Sequence, residues 1–234
     1  MARLKRLGFL ARPSSQLEGA VYLTTPKDSL AWVWWDVPAR LLPLAIGPLV
    51  FLWLTHLPAA SLGISFQHLG RDLLLAIPLG GVGFAIAAVF MDYLSRRSGR
   101  WFVPTVPDLA LQMTYYVVLN APIEEWFFRG FLQGVLGRWW QSPLLGYLAA
   151  TAVFGGYHLL GRWHWRAVVG ATVAGAALGA LYLWQPAPPS LLLPVIVHGA
   201  ITCGFLGAGP FLLFEWRRRQ GRLSPQVDAP RAVS

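Results

Sequence analysis

The sequence predicts an all-α fold: a polytopic membrane bundle of about six transmembrane helices with both termini cytoplasmic. Three observations predict it. Only 12% of the 234 residues are charged, about half the share usual in globular domains. Mean hydropathy is +0.51. The charges lie in short clusters between long apolar runs, each close to the ~20 residues that a helix needs to cross a bilayer.

Residues 1–40 form the N-terminal region. They carry Arg3, Lys5, Arg6, Arg12, Lys27 and Arg40 and lack a continuous apolar core, so no cleavable signal peptide is expected. The stretch Leu30–Arg40, with Trp32, Trp34 and Trp35, is too short to span and reads as an interfacial segment. Residues 41–108 supply two accessory spans, 41–57 and 73–91, separated by a polar loop at 61–72 and followed by a basic loop at 95–100. The third span, 109–137, is longer than a bilayer requires, and Asn120 and Pro122 predict a kink in it. The fourth is 144–160, the fifth 167–184, and the sixth 191–214. Gly175 and Gly179 give the fifth span a small-residue packing face. Residues 215–234 read as a basic, disordered cytoplasmic tail.

Six spans put both ends on one side of the membrane. On that reading sixteen of the nineteen Lys and Arg residues fall with the termini, and only Arg71 and Arg138 fall opposite. This bias makes the terminal side cytoplasmic. It also accounts for the net charge of +9 without a nucleic-acid partner. The partners expected are the lipid bilayer and a membrane-associated protein or peptide. Cys203 is the only cysteine, which excludes an internal disulfide and any C-x-x-C motif.

Ionisable groups inside apolar spans are costly, and they mark candidate sites. The third span contains Glu124, Glu125 and Arg129. Residues i and i+4 share a helix face, so Glu125 and Arg129 can pair and fix helix packing. Glu124 has no such charged partner, and as an unpaired, desolvated carboxylate it suits a general base acting on water. His158 closes the fourth span one turn after Phe154. His198 lies within the sixth, one turn before Thr202. Each histidine alone fits a hydrogen-bonding or interfacial role. Together with Glu124 they supply what a hydrolase needs: a base, an imidazole and a donor for an oxyanion. Glu124 sits ~20 Å along its span from the cytoplasmic side, whereas His158 is near the cytoplasmic end of its own span and His198 nearer the outer end. Convergence therefore requires the spans to tilt, break or sit deeper.

The motifs resemble those of a family. Glu124-Glu125-Trp-Phe-Phe-Arg129 fits E-E-x-x-x-R, Phe154-Gly-Gly-Tyr-His158 fits F-x-x-x-H, and Val195-Ile-Val-His198 looks like the closing region. This is the CPBP family (CAAX proteases and bacteriocin-processing enzymes, also called Abi) of intramembrane endopeptidases. The resemblance covers about 109–214, which makes that segment a four-helix catalytic core. It implies that Glu124 and His158 activate water, that Glu125 and Arg129 act structurally or electrostatically, and that His198 stabilises the oxyanion. The family's final motif is usually H-x-x-x-N, and Thr202 stands at its last position here. No cofactor is expected. A divalent metal such as zinc would use Glu124, His158 and His198, but the spacing is not that of a zincin. A catalytically inactive scaffold or immunity protein of the same fold, and less so a proton-coupled transporter, stay open as alternatives. The expected location is the bacterial cytoplasmic (inner) membrane.

Overall fold

The computed structural model describes residues 20–161 and 163–220. In chain order these form strand β1 (Ala20–Thr24), helix α1 (Pro26–Thr55), helix α2 (Leu69–Ser98), strand β2 (Arg100–Pro104), helix α3 (106–139), and helices α4 (Pro143–Leu160), α5 (Trp165–Leu183), α6 (Leu192–Leu206) and α7 (Ala208–Arg219). Among the described residues α1, α2, α4 and α5 are long and apolar enough to cross a membrane. The pair α6–α7, bent by 41°, makes a fifth if counted as one span. The six expected spans are thus borne out only as four to five. The helix that carries the glutamates, α3, is not among them.

The fold departs from all-α at one place. β1 and β2 pair in parallel, with Ala20 opposite Arg100 and Thr24 opposite Pro104. The β-branched and aromatic residues of Ala-Val-Tyr-Leu-Thr and Arg-Trp-Phe-Val-Pro suit a short ladder, which reading the chain for apolar spans overlooks. Val21 and Val103 bury one side of the ribbon against Phe214. The ribbon ties the start of α1 to the start of α3. Thr24 donates to Asp108 at 2.5 Å, and the Gln112 amide donates to Asp108 at 2.9 Å and to Ser29 at 3.1 Å.

The expected interfacial segment at 30–40 is instead the first part of α1, continuous to Thr55. Pro38 cannot donate to the helix ladder, and the backbone accommodates it by widening into a π-type turn over Val37–Leu41. The same device recurs in α3, where wide turns at Tyr115–Asn120 and Trp126–Gln133 flank Pro122. The predicted kink is therefore a local change of helix pitch. The expected loop at 61–72 ends early, because α2 begins at Leu69, and the basic loop at 95–100 is the end of α2 plus the first residue of β2. Residues 215–219 are helical rather than a disordered tail. Arg217 in α7 pairs with Asp92 of α2 at 2.5 Å. The rest of the tail and the basic N-terminal stretch lie outside the described residues.

The most extensive packing joins α2 to α6. α3 and α4 form an antiparallel hairpin closed by the turn at 140–142, with Gly146 of α4 against the α3 backbone at Gly137. The two ends of the turn before α6 are buried: Gln185 and Ser190 exchange hydrogen bonds of 2.8 and 3.0 Å, and the Leu191 amide donates to Gly63 at 2.8 Å.

Candidate active site

The α3–α4 hairpin sets the level of the site. Glu124 lies about fifteen residues before the end of α3, and His158 about fifteen after the start of α4. At ~1.5 Å per residue both are ~22 Å from the turn. Phe128 and Phe154, one turn nearer the turn, stack edge to face with centroids 4.9 Å apart. Counting from the hairpin removes the depth mismatch that counting from the cytoplasmic side creates for His158. His198 on α6 reaches the same level, because its ring meets both glutamates of α3.

Glu124 is 3% exposed and, contrary to the sequence expectation, is not unpaired. Its Oε1 accepts from the Asn120 amide at 2.7 Å and from Arg40 Nη1 of α1. Arg40 is itself held by Asp36, one turn earlier, through Nε to Oδ1 at 2.6 Å and Nη2 to Oδ2 at 2.5 Å. The Tyr115 hydroxyl accepts from Arg40 Nη2 at 3.0 Å and donates to Asp36. Arg40, Asp36, Tyr115 and Asn120 were absent from the sequence-based site. Asn120 was within reach of the i, i+4 rule that paired Glu125 with Arg129. Arg40 was not, because its partner is 84 residues away.

Glu125 is fully buried. Its Oε1 lies 3.1 Å from Arg129 Nη1, the expected i, i+4 pair, and also accepts from His198 Nδ1 at 2.6 Å. His198 Nε2 lies 3.7 Å from Glu124 Oε2. One imidazole on α6 therefore touches both glutamates of α3. The distance to Glu124 is longer than a direct hydrogen bond. Arg129 Nη2 donates to the Gly175 carbonyl of α5 at 2.7 Å. Its guanidinium stands 4.7 Å over the Phe154 ring.

Phe154 links the remaining members. Its carbonyl accepts from His158 Nδ1 at 2.8 Å. Its ring centroid is 4.6 Å from that of His158 and 6.2 Å from that of His198. His158 thus reaches the cluster through Phe154, whose ring contacts both imidazoles. Thr202 is half-buried one turn beyond His198 and forms no hydrogen bond to the cluster among the described residues. The structure thus brings Glu124, Glu125, Arg129, His158 and His198 together and leaves Thr202 at their edge.

Asp36, Glu124 and Glu125 face two guanidiniums, Arg40 and Arg129.

Comparison with known proteins gives one family match, over part of the chain. Residues 106–204 match the family model described as type II CAAX prenyl endopeptidase Rce1-like. The match spans α3 to α6 and contains every site residue named from the sequence, and it bears out the CPBP resemblance of the motifs. Arg40 and Asp36 fall outside it. No curated protein and no solved structure matches the chain. The family match and the apolar helices together indicate an integral membrane protein.

The residues do not fit a zinc site of the His₂Glu kind. Among the described residues no three His, Cys, Asp or Glu side chains are grouped to hold a metal ion. The guanidinium on Glu124 Oε1 would also compete with a cation there.

Proposed function

We propose that this chain is an intramembrane endopeptidase that hydrolyses a peptide bond of a membrane-associated protein or peptide. The family suggests a CAAX-type intramembrane protease. The observation that carries the finer reading is His198 bridging the two glutamates, with the Phe154 ring in contact with both His198 and His158. In this reading Glu124 Oε2 and His158 take a proton from water. The resulting hydroxide attacks the scissile carbonyl carbon, and the electron pair moves onto the carbonyl oxygen. His198 Nε2–H donates to that oxyanion, and its ring is oriented by the Nδ1 bond to Glu125. When the C–N bond breaks, the proton returns to the leaving amine. Glu125 and Arg129 hold His198 and the packing around it. Thr202, outside the hydrogen-bonded cluster, has a secondary part.

No metal is assigned. The substrate is a protein or peptide held at the membrane, prenylated or not. The bacterial inner membrane is the location this reading assigns, on the positive charge of the loops that share the terminal side.

A scaffold of the same fold is the second reading, and one observation favours it: Arg40 occupies one oxygen of the would-be base. The two readings separate in proteoliposomes with an internally quenched peptide carrying a farnesylated cysteine fourth from its C-terminus, beside its unprenylated counterpart. Glu124→Gln is expected to lower turnover by about 10²–10⁴-fold while the protein still melts in a cooperative transition. Equal rates for wild type and Glu124→Gln on both peptides would leave the scaffold reading in its place.

A further inference from the structure

Arg40 belongs to α1, outside the segment that matches the family, yet it is a direct partner of Glu124. We propose that Arg40 is a positioning residue of the active site: it holds Glu124 Oε1 so that only Oε2 is left to face His198 and the attacking water. The proposal rests on the protease reading above and adds a helix to the catalytic unit.

The geometry is that of a guided donor. Asp36 takes Nε and Nη2 in a fork, which fixes the guanidinium plane. Tyr115 on α3 bonds both members of that fork. Nη1 is the one remaining nitrogen, and it points to Glu124. Asn120 donates to the same oxygen at 2.7 Å, so both donors crowd Oε1. Oε2, 3.7 Å from His198 Nε2, takes neither. A carboxylate fixed through one oxygen cannot rotate, and a base that cannot rotate keeps its lone pair aimed at the reacting water.

Simple neutralisation does not explain the arrangement. Asp36 already balances Arg40, so the contact with Glu124 makes one guanidinium serve two carboxylates. Packing does not explain it either. The Arg40 and Asp36 side chains are 24% and 13% exposed, against 4% for Glu124. The pair therefore lies between Glu124 and the surroundings. Lysine would not replace it, because a point charge cannot hold the Asp36 fork and reach Glu124 together.

The experiment uses the full chain in proteoliposomes and the farnesylated quenched peptide. Wild type, Glu124→Gln, Arg40→Ala, Arg40→Lys and the Arg40→Ala/Glu124→Gln double variant are compared. Arg40→Ala is expected to lower kcat by about 10²-fold or more with KM changed less than about threefold. Millimolar N-methylguanidinium, but not sodium chloride of equal ionic strength, restores at least about a tenth of the lost rate. Arg40→Lys falls between the two. Melting temperatures of wild type, the Glu124→Gln and Arg40→Ala single variants and their double variant give a double-mutant cycle independent of activity, and the two sites are expected to be non-additive. Additive melting shifts overturn the proposal whether or not the peptide is cleaved. An Arg40→Ala enzyme as fast as or faster than wild type, or a slow one that guanidinium does not rescue, also overturns it. If wild type and Glu124→Gln are equally inert, the protease reading falls first and the positioning role falls with it. Only coupled melting, a kcat loss and guanidinium rescue together support the proposal.

Discussion

Glu125 and Arg129 are 0% and 2% exposed, and each is the other's ion-pair partner one helical turn away. Glu125 Oε2 has no hydrogen bond among the described residues, so its charge depends on Arg129 and His198 through Oε1 alone. Removing one member of a buried pair strands the other, at a cost of about 3–5 kcal/mol. Arg129→Met is therefore expected to lower the melting temperature in detergent sharply. Adding Glu125→Gln should recover part of the loss, because no buried charge is then left alone. A double variant that melts below Arg129→Met would sink this account. This pair was legible in the sequence because it obeys the i, i+4 rule on one helix. Asn120 on Glu124 obeys the same rule and was passed over as a helix breaker. Arg40 on Glu124 was illegible for a physical reason. Nothing local to residue 40 reveals a partner on α3, and Pro38 made the segment look too short to be a helix that reaches the site.

The elements hold the site by close approach and by register. Arg129 and Gln133, one turn apart on α3, donate to the carbonyls of Gly175 and Gly179, one turn apart on α5. The small-residue face expected from the sequence is thus a docking face for α3 side chains as well as for helix packing. A Cβ added at Gly175 would press into the Phe154 ring, which carries the Arg129 guanidinium on its face and lies between the two histidines. Gly175→Ala is expected to cost about 1–3 kcal/mol and to slow peptide cleavage, because the ring that spaces His158 from His198 must move. Gly170 offers the control. There the neighbour is the Phe90 ring of α2, which reaches His158 only through Phe205 and Trp163, so Gly170→Ala should destabilise with a smaller change in kcat in the protein that remains folded. Equal kcat for both variants would separate Phe154 from the chemistry. The β1–β2 ribbon is the element that apolar periodicity hid. Five-residue strands separated by two long helices leave no hairpin signal in the chain, although the ladder fixes where α1 and α3 begin and hence the level at which Arg40 meets Glu124.

At the scale of the whole molecule, the parallel ribbon makes α1 and α3 start on one side, and the hairpins make α2, α4 and α7 end on that same side. The basic residues follow this division. Arg96, Arg97, Arg100, Arg166 and the Arg217–Arg219 run lie at the ribbon end, while Arg71 and Arg138 lie at the other. The predicted orientation therefore puts the ribbon, α7 and the start of α5 in the cytoplasm. The α3 helix, with Asp108, Glu124, Glu125, Arg129 and Arg138 along it, falls short of the apolar character of its neighbours. Of its charged groups, Glu124, Glu125 and Arg129 are satisfied by α1, α5 and α6, Asp108 by Thr24 and Gln112, and Arg138 by the Ser61 carbonyl. Orientation is testable without any substrate. In a Cys203→Ala background, Thr55→Cys at the exposed end of α1 should react with a membrane-impermeant maleimide on intact cells. Gln220→Cys, just past α7, should react only after permeabilisation. The reverse pattern would invert the molecule, move the Arg40–Asp36 pair to face the opposite compartment, and require the substrate to approach from outside. Labelling of both positions on intact cells would mean that the helices do not cross as an ordered set. The bilayer would then no longer account for the uncharged outer surface of α2, where Leu74 and Ile77 are each 73% exposed.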